Sequence, residues 1–288
     1  MSRLAEGLLL LEELRTELKL KSRAEAKLMV LKLGGSVITD KGKPMTPNLD
    51  AIQRLAKEIA DANVERLIIV HGGGSFGHPL AKQYKIKEGY EDPSQIEGFS
   101  KTHQAMLELN KLVVDALIRH NIAAFSVSPS SCIVTKARRI QIFYNSTLIQ
   151  LLDIGFVPVL FGDAVLDNNI GFTILSGDQL VATLATKFKA NKIIIGADVD
   201  GLHTADPKTD DSAQLIPHIT LQELKTLLHN IEKAKVTDVT GGMLGKILEL
   251  IPAIDADIPT IIVNAAEECN VYKALREEKV VSTLIEKE

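Results

Sequence analysis

Much of what this chain lacks is informative. It has no run of roughly 18 apolar residues, so nothing in it reads as a membrane-spanning helix. Positive charge is not in surplus: 33 Lys and Arg stand against 37 Asp and Glu, a net charge of −4. That balance carries no general electrostatic footprint for nucleic acid or for an anionic membrane, and neither is expected as a partner. Any anion must be met by a local site. Cysteine is scarce, with only Cys132 and Cys269, far apart and in no metal or redox spacing. Free thiols in a reduced, cytoplasmic setting are the expectation. The apolar run Leu8 to Leu11 is ended at once by Glu12 and Glu13, and no small-residue cleavage pattern follows, so it does not read as a secretion signal. There is no internal repeat or low-complexity linker.

What remains is an ordinary globular composition, 45% hydrophobic and 24% charged over 288 residues, enough to bury a sizeable core. Leu4, Leu8, Leu11, Leu14 and Leu18 recur at three- and four-residue steps, so residues 1–27 read as an amphipathic helical extension that packs on the body or on a second subunit. Beyond it, short β-branched runs alternate with longer helical patterns. Met29 to Leu33, Arg66 to Val70, Ala123 to Val127, Val157 to Phe161, Lys192 to Ile195 and Thr260 to Val263 read as buried strands. Helical periodicity covers Leu49 to Ala62, Phe99 to His120, Thr147 to Ile154, Gln179 to Phe188, Leu221 to Leu228 and Met243 to Ile254. This alternation specifies an α/β protein with a mainly parallel central sheet.

In such a sheet the ligand lies at the carboxyl ends of the strands. The residues there are Gly34-Gly35-Ser36 after the first strand and His71-Gly72-Gly73-Gly74-Ser75-Phe76-Gly77-His78 after the second. Read as loops, these glycines let the backbone approach a ligand, and successive amides make a donor nest for phosphate. A pair of such loops points to two anionic groups. Neither is a Walker A loop, since no Gly-Lys-Ser/Thr follows the glycines. Gly72 to Gly77 does contain G-x-G-x-x-G, but a dinucleotide site needs a carboxylate ending the next strand about twenty residues on, and the chain there is the polar stretch Lys85 to Ser94.

Charged residues sharpen this reading. Lys32 lies inside an apolar run, where a solvated lysine is out of place, so its ammonium should reach into the site. Asp178 in Ser176-Gly177-Asp178 fits either the N-cap of the next helix or a functional carboxylate. Lys246 falls on the first turn of a helix, where the dipole disfavours it unless it faces an anion. Lys41, between Asp40 and Gly42, reads equally as a solvated turn. Phe99, His103, Met106, Leu107 and Asn110 share a helical face that is either core or the wall of an apolar pocket.

The order of these motifs resembles the amino acid kinase superfamily, and within it the kinases of isopentenyl phosphate, over about residues 28 to 284. The matching pieces are Lys32 to Ser36, Asp40-Lys41, His71 to Lys82, Gly162-Asp163, Ser176 to Asp178, Asp198 to Gly201, and Asp238 to Met243 with Lys246. The extension 1–27 departs from the pattern. The resemblance implies an open αβα sandwich with an acceptor lobe over 28–160 and a nucleotide lobe over 161–288, usually dimeric, using ATP and Mg²⁺ with no dedicated protein metal ligands. It implies that Lys32, Gly34, Gly35 and Ser36 approach the ATP phosphates and that Lys41 stabilises the transition state. Gly73 and His78 would hold the acceptor phosphate, Gly74 the transferred group, and Gly177 would bound the substrate. Asp178 would orient Lys32 and Lys246, with Asp198, Gly241, Gly242 and Lys246 on the nucleotide side. Still open are a small phosphonate, UMP or a carboxylate as acceptor, and a nucleotide-binding regulator without turnover.

Overall fold

The computed structural model describes residue 23 and residues 25–233 and 243–288. Most of the 1–27 extension, and both Gly241 and Gly242, lie outside the described residues.

Among the described residues, twelve strands form an eight-stranded and a four-stranded sheet. They are β1 (Leu28–Leu33), β2 (Arg66–His71), β3 (Ala124–Ser126), β4 (Ile133–Lys136), β5 (Arg139–Phe143), β6 (Val157–Phe161), β7 (Asp163–Asp167), β8 (Gly171–Leu175), β9 (Lys192–Ala197), β10 (His218–Thr220), β11 (Thr260–Asn264) and β12 (Ser282–Glu286). The large sheet runs β10-β12-β11-β9-β1-β2-β6-β3. Its neighbours pair in parallel except β11 with β12.

β1 is buried at every position because both sheet faces are covered. Side chains alternate across the sheet, so Leu28 and Val30 enter one apolar cluster with the helices Ser146–Ile154, Gly177–Phe188 and Met243–Asp255. Met29, Leu31 and Leu33 enter a second cluster with the helices Leu49–Ala62, Ser94–Arg119 and Asn270–Leu275. The result is the αβα sandwich with a mainly parallel sheet that the sequence implied. The six strands read from the sequence are all present, within a few residues of their expected ends.

The sequence reading missed the small sheet, β5-β4-β7-β8. Its strands are short and only partly apolar, and they are held by Asp167. That side chain accepts from the Thr135 hydroxyl and the backbone amides of Ala137, Arg138, Asn169 and Ile170, tying two hairpin turns to one carboxylate. Four backbone donors on one side chain make a local device that no periodicity reports.

Candidate active site

The carboxyl ends of β1, β2 and β9 are stitched edge to edge. The Gly34 amide donates to Gly196 O at 2.8 Å, Gly72 to Leu33 O at 3.0 Å and Gly162 to His71 O at 3.0 Å. A cleft of about 530 Å³ opens above these junctions. Lys32, Gly34, Gly35, Ser36, Lys41, Gly73, Gly74, His78, Gly177, Asp178, Asp198 and Lys246 all line it, so every described site residue read from the sequence converges here.

Gly72 to Gly77 is not the open loop expected. Gly74 begins a helix, Gly74–Gln83, and His78 sits within that helix. Pro79 lies inside it, leaving the carbonyl of Ser75 without its helical donor; the Met45 amide takes that carbonyl at 3.1 Å. The helix therefore survives its proline and aims its N-terminal amides at the cleft, as does Gly177–Phe188, whose N-cap is Ser176 accepting from Gln179. Ser176, not Asp178, is the cap, which frees the Asp178 carboxylate for the site.

Much of the glycine content has a reason the sequence did not disclose: the glycine segments pack on each other. A Cβ on Gly35 would lie 2.3 Å from the Gly74 nitrogen, and one on Gly72 would lie 2.7 Å from the Gly35 nitrogen. Gly74 adds a left-handed φ of +46°. Thr39 Oγ1 joins the segments, donating to Gly35 O at 2.6 Å and accepting from the Ser75 amide at 3.0 Å.

Alternation along β1 places Lys32 toward the Gly177–Phe188 helix, where its Nζ is 3.0 Å from Asp178 Oδ1. Both groups are sequestered, with side-chain exposures of 5% and 15%. The contact is an ion pair without hydrogen-bond alignment. Asp198, at the end of β9, holds Lys41 Nζ at 3.2 Å and Lys208 Nζ on the same Oδ2. Burial pushes the Asp198 carboxyl up, but the Lys208 hydrogen bond, the charges of Lys41 and Lys208 and the Ser36 hydroxyl outweigh it, holding the group ionised far below the usual range. The sequence reading missed Lys208, because Asp206-Pro207-Lys208-Thr209-Asp210 reads as a solvated turn.

His78 opens to solvent at the mouth of the cleft, yet burial of its ring, followed by the charges of Lys32, Lys246 and Lys41, lowers its pKa, with Asp178 opposing. The imidazole is therefore neutral at physiological pH. Burial and then Lys32 likewise lower the Lys246 pKa.

The helical face of Phe99 to Asn110 divides. Met106 lines the cleft, its Sδ beside Gly73 and Gly77, together with Thr102 and Ile174. Phe99 instead packs on Phe172, with ring centroids 5.0 Å apart. Asn110 Oδ1 lies 3.1 Å from Nε2 of the buried His71, and His103 Nδ1 lies 2.8 Å from Oδ1 of the buried Asp163.

Residues 27–264 match the model of the amino acid kinase family. The chain belongs to that family. Among curated amino acid kinases, the isopentenyl phosphate kinase of Methanothermobacter thermautotrophicus is 39% identical, over 90% of this chain and 98% of its own. The isopentenyl phosphate kinase of Methanocaldococcus jannaschii is 37% identical over 86% and 95% of the respective chains. A solved isopentenyl phosphate kinase superposes with a TM-score of 0.78 at 36% identity, covering 90% of this chain and all of its own. UMP kinase from Ureaplasma parvum, at 18% identity and a TM-score of 0.60, shares the fold. The dinucleotide-binding reading of G-x-G-x-x-G falls away: its second and third glycines open and continue the Gly74–Gln83 helix of an amino acid kinase.

Proposed function

We propose that this protein transfers the γ-phosphoryl group of ATP to isopentenyl phosphate, giving isopentenyl diphosphate and ADP, a step of isoprenoid biosynthesis. The observation that carries the proposal is the cleft itself. His78 and the Gly74–Gln83 N-terminus face the lysines Lys32, Lys41 and Lys246 across one cavity, with the apolar Met106 and Ile174 on its wall. The close relatives named for this substrate support it.

The arrangement suits a reaction between two polyanions, which needs positioning and charge stabilisation more than covalent chemistry. Gly34, Gly35 and Ser36 bring backbone close to the ATP phosphates, with Asp198 and Gly241, Gly242 and Lys246 on the nucleotide side. Gly74 contacts the transferred group. Gly73 and His78 hold the acceptor phosphate, and Gly177 bounds it. Lys32 and Lys41 meet the charge that develops during transfer, and Asp178 orients Lys32 and Lys246. The acceptor phosphate is itself the nucleophile, so no strong general base is assigned. Among the described residues, no group of three His, Cys, Asp or Glu side chains could hold a metal ion. Of the cleft carboxylates, Asp178 and Asp198 already face lysines and Asp163 is held by His103, so Mg²⁺ would be carried by the ATP phosphate oxygens.

A panel of isopentenyl phosphate, fosfomycin, UMP and amino-acid acceptors, with ADP formation as readout, tests the assignment. Turnover of isopentenyl phosphate above the others is the expected result. Tight ATP binding with no turnover of any acceptor would make the protein a nucleotide-binding regulator.

A further inference from the structure

Lys41 and Lys208 meet the same oxygen, Asp198 Oδ2. Lys41 is one of the lysines that line the cleft, and its side chain is 63% exposed. Lys208 does not line the cleft and reaches Asp198 from outside. Its backbone is pinned in a turn, since its amide donates to Asp206 Oδ1 at 3.0 Å and the Thr209 amide to Asp206 O at 3.1 Å. Asp198 itself is mostly withdrawn from water, with 27% side-chain exposure.

Lys41 moving from Asp198 onto a phosphate would leave that carboxylate one cation short. A half-buried carboxylate left without a cation is costly, so a sole partner would be held back. With a second cation on the same oxygen, the carboxylate stays neutralised when Lys41 leaves. We propose that Lys208 is a positioning residue that keeps Lys41 available for phosphoryl transfer by sharing its hold on Asp198. The inference rests on the kinase reading. Lys208 acts through Lys41 and touches no reacting atom.

The test is steady-state kinetics with ATP and isopentenyl phosphate on the wild type, Lys208→Met, Lys208→Arg, Lys41→Met and the Lys41→Met/Lys208→Met double variant. Lys208→Met should lower kcat about two- to fivefold, the rate equivalent of one exposed ion pair, with the acceptor KM unchanged. Lys208→Arg, which keeps the cation, should restore the rate. At saturating ATP, adding Lys208→Met to Lys41→Met should cause no further loss of kcat, because the residue through which it acts is gone. Wild-type kcat in Lys208→Met, or kcat losses that multiply in the double variant, would overturn the inference while leaving the kinase reading intact. A wild-type protein that does not phosphorylate isopentenyl phosphate would overturn both.

Discussion

His78 shows what a single residue contributes here. A neutral imidazole offers one N–H donor, and burial of the ring, followed by the charges of the surrounding lysines, lowers its pKa and favours that neutral form. Its role in the proposed reaction is donation to the acceptor phosphate. His78→Ala should lower kcat on the order of a hundredfold, the effect of losing one preorganised donor, while ATP binding by calorimetry stays near wild type. His78→Asn, which keeps an N–H, should retain more activity than Ala. Because the folded pKa is lowered, protonation of His78 should not limit the rate until pH falls below the ordinary histidine value near 6.5. An acid limb at or above that value, lost in His78→Asn, would contradict the assignment. Lys32 was readable from sequence because a lysine in an apolar strand demands a partner. Lys208 was not, because a lysine among aspartates in a turn has every reason to be solvated.

At the scale of elements, periodicity disclosed the long helices and the buried strands, where burial on a repeating face leaves its mark. It did not disclose the Gly74–Gln83 helix, since two glycines and a proline within its ten residues, directly after Gly72 and Gly73, argue against one, and only the contact with Gly35 and the rescue by Met45 explain it. Nor did it disclose the small sheet gathered on Asp167. Burial pushes the Asp167 carboxyl up, but the hydrogen bonds from Arg138, Asn169, Thr135 and Ile170 outweigh it and bring it to about 2. This stability is fully present above the unfolded aspartate pKa near 3.9 and is lost as pH falls toward 2. Asp167→Ala should cost about 1–3 kcal/mol in urea unfolding at neutral pH, from the stranded backbone donors. It should also flatten the acid side of the stability profile. The divided helix face yields a second expectation: Met106→Ala should admit longer isoprenyl monophosphates, whereas Phe99→Ala, acting on the Phe172 contact, should change chain-length preference less. Product analysis with five-, ten- and fifteen-carbon monophosphates checks this, with thermal melts to confirm that both variants are folded. Equal shifts in both would place Phe99 back on the pocket wall.

Across the whole molecule, the large sheet sets strands from residues 28–160 beside strands from 161–288, joined where β1 pairs with β9. We propose these halves as acceptor and nucleotide lobes, and a homodimer as the assembly; sedimentation at micromolar concentration, with a dimer expected, tests the latter. The extension meets the body through Arg23, whose Nη1 donates to Ile154 O at 2.7 Å, and Lys27, which pairs with Glu277 at 3.3 Å. Deleting residues 2–27 should lower Tm while leaving the acceptor and ATP KM unchanged. Loss of acceptor binding in the folded truncation would make the extension part of the site. The backbone contact of Gly35 with Gly72 and Gly74 bears on how this molecule can change over time. The spacing between the two phosphate-facing segments is set by main chain against main chain at Gly35, Gly72 and Gly74, with the short Thr39 hydroxyl bridging beside them. That gap works as a fixed ruler: point substitutions can reshape the wall at Met106 and Ile174, and so the tail that is accepted, while the distance across which the phosphoryl group travels stays the same.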